Sequence, residues 1–244
     1  MAVSLYGMPF KVDEITAISR RYEIPIIEDS AEALGSSYKG QKMGSFGDLS
    51  VISFNGNKII TTSGGGILIS KNPEIKKKTI FLSTQAKDDA PHYEHTVLGY
   101  NYRMSNICAD IGRGQMEVLE ERILQRRKNH KFYVDLFQDL EGINILSELS
   151  EDFFSNHWLS VITIDESVYG FDREYLRLKL LEQQIEARPV WKPIHLQPFF
   201  KSSEFYGGQI ADTIFNNGLC LPSGSNLSDD ERERIRVVFV DVFQ

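Results

Sequence analysis

Lys58 stands in the run Ser53-Phe54-Asn55-Gly56-Asn57-Lys58-Ile59-Ile60-Thr61-Thr62-Ser63-Gly64-Gly65-Gly66, a composition that packing does not ask for. The apolar residues before and after it predict strands over 49–54 and 66–70, which places the lysine at a strand end beside backbone amides that glycine leaves open. A lysine desolvated there is a nucleophilic amine, able to condense with a carbonyl. The same loop also reads as a β-turn whose lysine points into water, because lysines are mostly exposed. The loop alone does not choose between the two. Asp29 follows the apolar run Ile24-Pro25-Ile26-Ile27 and is a polar group that a sheet would present at its carboxyl edge, where open α/β sheets bind ligands. An aspartate in that place also serves as a helix N-cap, and Ser30 with the turn Ala31-Glu32-Ala33 fits that reading. Taken with Lys58, Asp29 makes an acid–amine pair possible on one edge of one sheet.

The elements that must position these groups follow an α/β rhythm. Residues 11–22 put Val12, Ile15 and Ile18 on one helical face, and a short, wholly apolar strand over 24–27 comes next. Gly35 to Gly47 reads as a loop or hairpin, and Pro73 after Asn72 opens a helix. After an irregular polar stretch over 85–106, an apolar stripe through Met116, Leu119, Ile123, Phe132, Leu136 and Leu140 predicts one long helix over about 106–140. A helix of that length joins two domains, so the expected division is 1–120, a cofactor-binding large domain, and 121–244, a small α+β domain. The second should contain strands over 157–164 and 185–190, and helices over 172–183, 209–217 and 228–238.

Composition narrows the function classes. A net charge of -7 disfavours nucleic acid as the main partner, since phosphate binding needs a basic surface. The cluster Arg122, Arg126, Arg127, Lys128, Lys131, preceded by Glu117, Glu120 and Glu121, reads as a solvated helix face. Cys108 and Cys220 are far apart, which leaves no disulfide framework or zinc pattern, and the five histidines show no metal-ligand spacing. No apolar run reaches membrane length and the first residues have no signal-peptide pattern, so a cytoplasmic protein is expected. Gly64-Gly65-Gly66 lacks the spaced glycines of a dinucleotide-binding turn.

Several motifs then occur in order: Glu28-Asp29-Ser30-Ala31-Glu32-Ala33-Leu34-Gly35, Gly44-Ser45-Phe46-Gly47-Asp48, Ser53 to Lys58, and Gly99-Tyr100-Asn101-Tyr102-Arg103-Met104-Ser105. Arg188-Pro189-Val190-Trp191-Lys192-Pro193-Ile194-His195-Leu196-Gln197-Pro198 and Leu221-Pro222 extend the series. Nearly the whole chain thereby resembles the DegT/DnrJ/EryC1/StrS nucleotide-sugar aminotransferases, fold-type I enzymes that depend on pyridoxal 5'-phosphate. The resemblance implies an α/β large domain with a mostly parallel sheet, incomplete at its N-terminal part, and a small C-terminal domain. It implies that Lys58 links covalently to the cofactor, that Asp29 pairs with its pyridine nitrogen and that Ser53 donates to its phosphate. By the same resemblance Asn101 reaches the phosphate of the neighbouring subunit in a homodimer. Glu32 falls near the ring, at a position where relatives often carry glutamine or histidine.

Arg103, Trp191, Lys192 and His195 become candidates for contacting the nucleotide sugar. Three of them have a plainer specific alternative: a surface ion pair for Arg103, core packing for Trp191, and capping of a turn beside Pro193 for His195. The Asn-Gly-Asn-Lys-Ile-Ile-Thr-Thr and Trp-Lys-Pro segments look most like the branch that aminates UDP-4-keto-6-deoxy sugars, with glutamate as expected amino donor and surface polysaccharide or glycan synthesis as the setting. The family also carries, before the segment that begins here, a Gly-Ser/Thr-Ala turn at a helix N-terminus that binds phosphate. The alternatives are therefore an inactive remnant or binding module of the same fold, or the C-terminal part of an enzyme completed by a separate N-terminal polypeptide.

Overall fold

The computed structural model describes residues 1–243 and divides into two compact units. The first comprises Met1–Leu124 and Glu148–Trp158; the second comprises Gln125–Ser147 and the chain from Leu159 onward. A single division near residue 120 does not anticipate the return of 148–158 to the first unit. That return matters for the site.

In the first unit, β1 (Ala2–Val3) leads through a short 3-10 turn to α1 (Val12–Tyr22), then β2 (Ile27–Asp29), the hairpin β3 (Ser37–Tyr38) and β4 (Gln41–Lys42), β5 (Leu49–Ser53), β6 (Gly66–Ile69), α2 (Pro73–Ser83) and α3 (Asn106–Glu117). The main sheet has the order β1-β2-β5-β6. β1, β2 and β5 run parallel, with Val3 opposite Asp29 and Asp29 opposite Val51. β6 returns antiparallel, Ser53 facing Gly66. Strand β2 starts three residues later than the apolar run because Pro25 has no N–H and the Ile26 N–H is taken by Asp48 Oδ2 at 2.8 Å. Helix α1 buries Val12 but leaves Ile18 half exposed. The N-cap of α2 is Asn72, whose side chain accepts from Glu74 N, and Ser105 caps α3 through Cys108 N. A small cluster of Val12, Ala33, Tyr38 and Met43, with Phe10, Phe46 and Phe153 against it, forms this unit's local core.

The expected long helix over 106–140 is two helices. Helix α3 stops at Glu117, Val118 adopts a non-helical geometry, and α4 (Leu119–Phe137) follows. The apolar stripe is continuous across the break, so side-chain periodicity alone conceals it. In the second unit come β7 (Ile143–Ile145), β9 (Ser160–Ile164), α5 (Glu166–Tyr169), α6 (Arg173–Glu182), β10 (Arg188–Pro189), α7 (Ile210–Asn217), β11 (Gly218–Leu221) and α8 (Asp229–Phe243), while β8 (Phe153–Phe154) belongs to the first unit and pairs with β3. The second unit's sheet is wholly antiparallel in the order β10-β11-β9-β7. Tyr133, Phe137, Leu176, Leu180, Ile235 and Phe239 cover the face that carries Ile162, Ile164, Leu219 and Leu221. Burial pushes the Tyr133 phenol well above its ordinary range, and its hydroxyl donates to Pro222 O at 2.8 Å.

The strand expected over 157–164 begins only at Ser160. His157 has φ of 44°, a left-handed conformation that ends any extended run there. Likewise only Arg188–Pro189 of the run 185–190 is strand, at the sheet's edge, where proline is tolerated, with Val190 N adding one further bond to Gly218 O.

Candidate functional site

The loop after β5 is closed at two levels. Lys58 N donates to Asn55 O at 3.0 Å, making a tight turn centred on Gly56 and Asn57. Outside it, Phe54 N donates to Gly65 O at 2.9 Å and Thr62 N to Phe54 O at 3.0 Å. Ile59 and Ile60 are buried directly after the lysine and anchor its backbone. The rest of the loop is held from above by Met104 and α3: a Cβ on Gly65 would lie 2.7 Å from Met104 Cε, and one on Gly112 2.9 Å from Thr62 Cγ2.

This fixed backbone turns Lys58 inward. Its side chain is only 12% exposed, so the solvated-turn alternative fails. The amine lies 3.3 Å from Glu32 Oε1 and 4.0 Å from the centre of the Trp158 ring. Glu32 is itself held, because its other oxygen accepts from Tyr6 N at 2.7 Å. The residue that brings Glu32 there is Asp29, three positions earlier at the end of β2. Its Oδ1 accepts from Ala31 N at 3.1 Å, an Asx-type turn rather than a helix N-cap, since no helix follows.

Glu28, one residue before, is a carboxylate with no exposed surface, surrounded by hydroxyl and backbone N–H donors. It accepts from Ser30 Oγ at 2.8 Å, Phe46 N at 2.9 Å, Gly47 N at 3.0 Å and Ser50 Oγ at 3.0 Å, and also from Gly44 N. It therefore fixes the 44–47 loop against β2 and β5 and sets the edge on which Asp29 stands. Ser53 ends the neighbouring parallel strand, and its Oγ accepts from Asn55 N at 3.2 Å, which leaves the hydroxyl proton to donate elsewhere.

The third wall comes from residues 148–158. Asn156 is fully buried and its side chain is saturated: Nδ2 donates to Glu32 O and Leu34 O, each at 2.9 Å, and Oδ1 accepts from Trp158 N at 2.8 Å. Its backbone N–H donates to Ser36 Oγ at 2.9 Å, and that hydroxyl donates to Gly7 O at 2.7 Å. Gly7 has φ of +92°, and a Cβ there would sit 1.9 Å from Asn156 Oδ1, so glycine is required both by conformation and by space. Trp158, 2% exposed, donates from Nε1 to Asn57 O at 2.9 Å. Sequence reasoning missed Asn156 and Trp158 because it assigned the tryptophan to a strand. The run Ser155-Asn156-His157, polar and next to an apolar strand, is the signal that marks a tightly bonded turn.

Of the expected site residues, Lys58, Glu32, Asp29 and Ser53 thus gather at the carboxyl edge of the β2–β5 pair. Asn101 and Arg103 are exposed on the segment before α3, where Asn101 pairs with Thr84 and Arg103 N donates to Ser83 O at 3.1 Å. Trp191, Lys192 and His195 belong to the second unit. There Trp191 is 38% exposed and Lys192 is exposed, while His195 is gripped by Asp212 Oδ1 at 2.6 Å from Nε2 and by the Phe205 ring stacked 3.8 Å away. Among the described residues no group of three or more His, Cys, Asp and Glu could hold a metal ion, and no helix is long and apolar enough to cross a membrane.

Chemically, the edge offers a half-buried amine, a carboxylate with one oxygen outside its turn, and a hydroxyl proton. Gly64 has nothing within 4 Å of a Cβ position, so backbone there is open to a ligand. That donor set fits a group bearing an aldehyde, a basic ring nitrogen and a phosphate.

Comparison with known proteins gives a consistent result. The profile of the DegT/DnrJ/EryC1/StrS aminotransferase family matches residues 1–239. EpsN of Bacillus subtilis, provisionally a pyridoxal phosphate-dependent aminotransferase, is 44% identical over 247 residues, covering 100% of this chain and 63% of EpsN. GDP-perosamine synthase of Escherichia coli O157:H7 is 36% identical, covering 95% of this chain and 62% of the synthase. The structure of Helicobacter pylori PseC, an aminotransferase involved in the biosynthesis of pseudaminic acid, superposes with a TM-score of 0.90 at 23% identity, over 99% of this chain and 65% of PseC; at that identity it shows the fold alone. The chain thus spans a little under two thirds of the length of the curated relatives it matches.

Proposed function

The chain belongs to the DegT/DnrJ/EryC1/StrS aminotransferase family, whose members depend on pyridoxal phosphate, and from that premise we propose that it carries the cofactor site of a nucleotide-sugar aminotransferase. The reaction proposed moves an amino group from an amino acid, glutamate in this reading, to a keto group on a UDP-linked 4-keto-6-deoxy sugar. The observation that carries it is the half-buried Lys58 amine between Glu32 and Trp158, at the strand edge that Asp29 and Ser53 complete. When bound, the cofactor supplies an electron sink that makes a Cα proton removable.

The remaining work falls to the protein's own groups. Lys58 would hold the cofactor through its Nζ and, when released, carry a proton between substrate carbon and cofactor. Asp29, with its turn fixed by Ala31 N, would keep the ring nitrogen protonated, which a carboxylate at hydrogen-bond distance favours. Ser53 would donate its hydroxyl proton to the phosphate. Glu32, 3.3 Å from the amine, orients Lys58 and is suited to accept its proton. Indole and carboxylate together keep bulk water from the amine.

Arg103, Trp191, Lys192 and His195 remain the proposed contacts to the nucleotide sugar, and Asn101 the proposed phosphate contact made in a homodimer. The UDP preference rests on the motif resemblance, and GDP-perosamine synthase among the relatives makes a GDP-linked keto sugar the competing substrate to include. The reading further places the protein in the cytoplasm, in polysaccharide or glycan synthesis.

Incubation of the protein with pyridoxal phosphate, glutamate and each keto sugar, followed by mass analysis, tests it. Amination of the UDP-linked sugar by the wild type and none by Lys58→Ala is expected. Amination of the GDP-linked sugar alone would overturn the nucleotide assignment, and amination by Lys58→Ala would overturn the role of the lysine.

A further inference from the structure

We propose that Trp158 is the positioning residue of the Lys58 amine, an inference that rests on the assignment of Lys58 made above. Two contacts carry it. The indole face lies 4.0 Å from Lys58 Nζ, well inside the range over which a ring attracts an ammonium. The indole N–H donates to the carbonyl of Asn57, the peptide from which Lys58 projects, at 2.9 Å. One side chain therefore fixes both the root and the tip of the lysine.

The tryptophan is itself buried and held. It is 2% exposed, and its backbone N–H is held by Asn156 Oδ1 at 2.8 Å. Asn156 in turn grips the carbonyls of Glu32 and Leu34, so the loop that delivers the indole also holds the backbone of the carboxylate that meets the amine. With Glu32 Oε1 at 3.3 Å and the ring at 4.0 Å, the amine has a seat defined by a negative charge and a π face. That seat suits the ammonium. It is the place to which the lysine returns whenever it is not covalently engaged, which keeps it within reach of the carbon whose proton it moves.

A cation held by a desolvated ring is retained by a margin equivalent to about tenfold or more in an equilibrium constant. The test compares the wild type with Trp158→Phe, which keeps a ring face but loses the indole N–H, and Trp158→Leu, which keeps apolar bulk and loses both contacts. Acylation by a small amine-directed reagent is followed residue by residue by mass spectrometry, with exposed Lys11 and Lys201 as internal references. No cofactor is needed. Lys58 in the wild type should react slowest, with Phe intermediate and Leu about tenfold faster than the wild type, at unchanged reference rates.

Equal Lys58 rates in the three proteins would overturn the inference. So would loss of cooperative unfolding in both variants, which would assign Trp158 to packing alone. A separate arm maps where pyridoxal phosphate is fixed by borohydride. Ordered acylation rates with the cofactor fixed on another lysine would leave the seat standing and remove the functional reading. Fixation at Lys58 with equal acylation rates would do the reverse.

Discussion

Replacing Asn156 should damage the first unit more than any surface change, and the cost can be worked from its bonds. Three side-chain hydrogen bonds disappear in Asn156→Ala, two from Nδ2 to carbonyls and one to Oδ1 from Trp158 N, all at 2.8–2.9 Å with the residue fully buried. At about 1 kcal/mol net for each bond, and more where a buried partner is left unsatisfied, the loss is about 3 kcal/mol. Native stabilities lie at about 5–15 kcal/mol, so this is a large fraction. Urea unfolding followed by tryptophan emission should show a midpoint lower by about 1–1.5 M.

Asn156→Asp adds a sign to the argument. Its carboxylate can still accept from Trp158 N, yet it faces two carbonyls with no proton to give, so at neutral pH it should be at least as destabilised as the alanine variant. Burial would raise that carboxyl's folded-state pKa above its unfolded value. The penalty is therefore full at high pH and is relieved as pH falls through the folded-state pKa, when the protonated group can donate to one carbonyl. A loss below about 1 kcal/mol in Asn156→Ala, or an Asn156→Asp deficit that grows as pH falls, would show that Asn156 does not hold the first unit through these bonds.

Other outcomes follow from the same geometry. Glu28→Gln puts an NH2 group among donors that all point at the carboxylate, and should cost about 2–3 kcal/mol in chemical denaturation although the shape is unchanged. Gly47→Ala would place a Cβ 2.6 Å from Leu49 O and 3.0 Å from Ile26 O, backbone atoms that cannot yield, and thermal unfolding should register about 1–3 kcal/mol. The hydrogen bonds from Lys39 and then Tyr38 hold the Asp13 carboxyl below its ordinary range, so what they contribute is present above the unfolded carboxylate pKa and lost as pH falls through the lowered one; Asp13→Asn should flatten that part of the stability–pH curve.

The sequence made the chemistry legible before the geometry. Strand ends at Asp29 and Ser53 and the glycine-bounded lysine loop are local features, written in runs of a few residues, and they gather at one sheet edge. What pins Lys58 is not local. Trp158 and Asn156 lie about a hundred residues downstream and reach the loop only because 148–158 returns to the first unit, a matter of long-range packing that no periodicity encodes. The left-handed His157 that cuts the expected strand belongs to that same return. The break at Val118 is hidden for another reason: apolar residues recur at helical spacing on both sides of it, although α3 itself buries none of its side chains. His195 illustrates the limit in the second unit, where its partners Asp212 and Phe205 come from a later helix and loop.

Lys58 is the amine proposed to take the cofactor. Reduction of the protein with borohydride after incubation with pyridoxal phosphate, followed by peptide mapping, tests it most directly. The phosphopyridoxyl group is expected on Lys58, with Lys58→Ala unlabelled and Asp29→Asn labelled at the same site but more weakly. Label spread over exposed lysines, or label undiminished in Lys58→Ala, would contradict it.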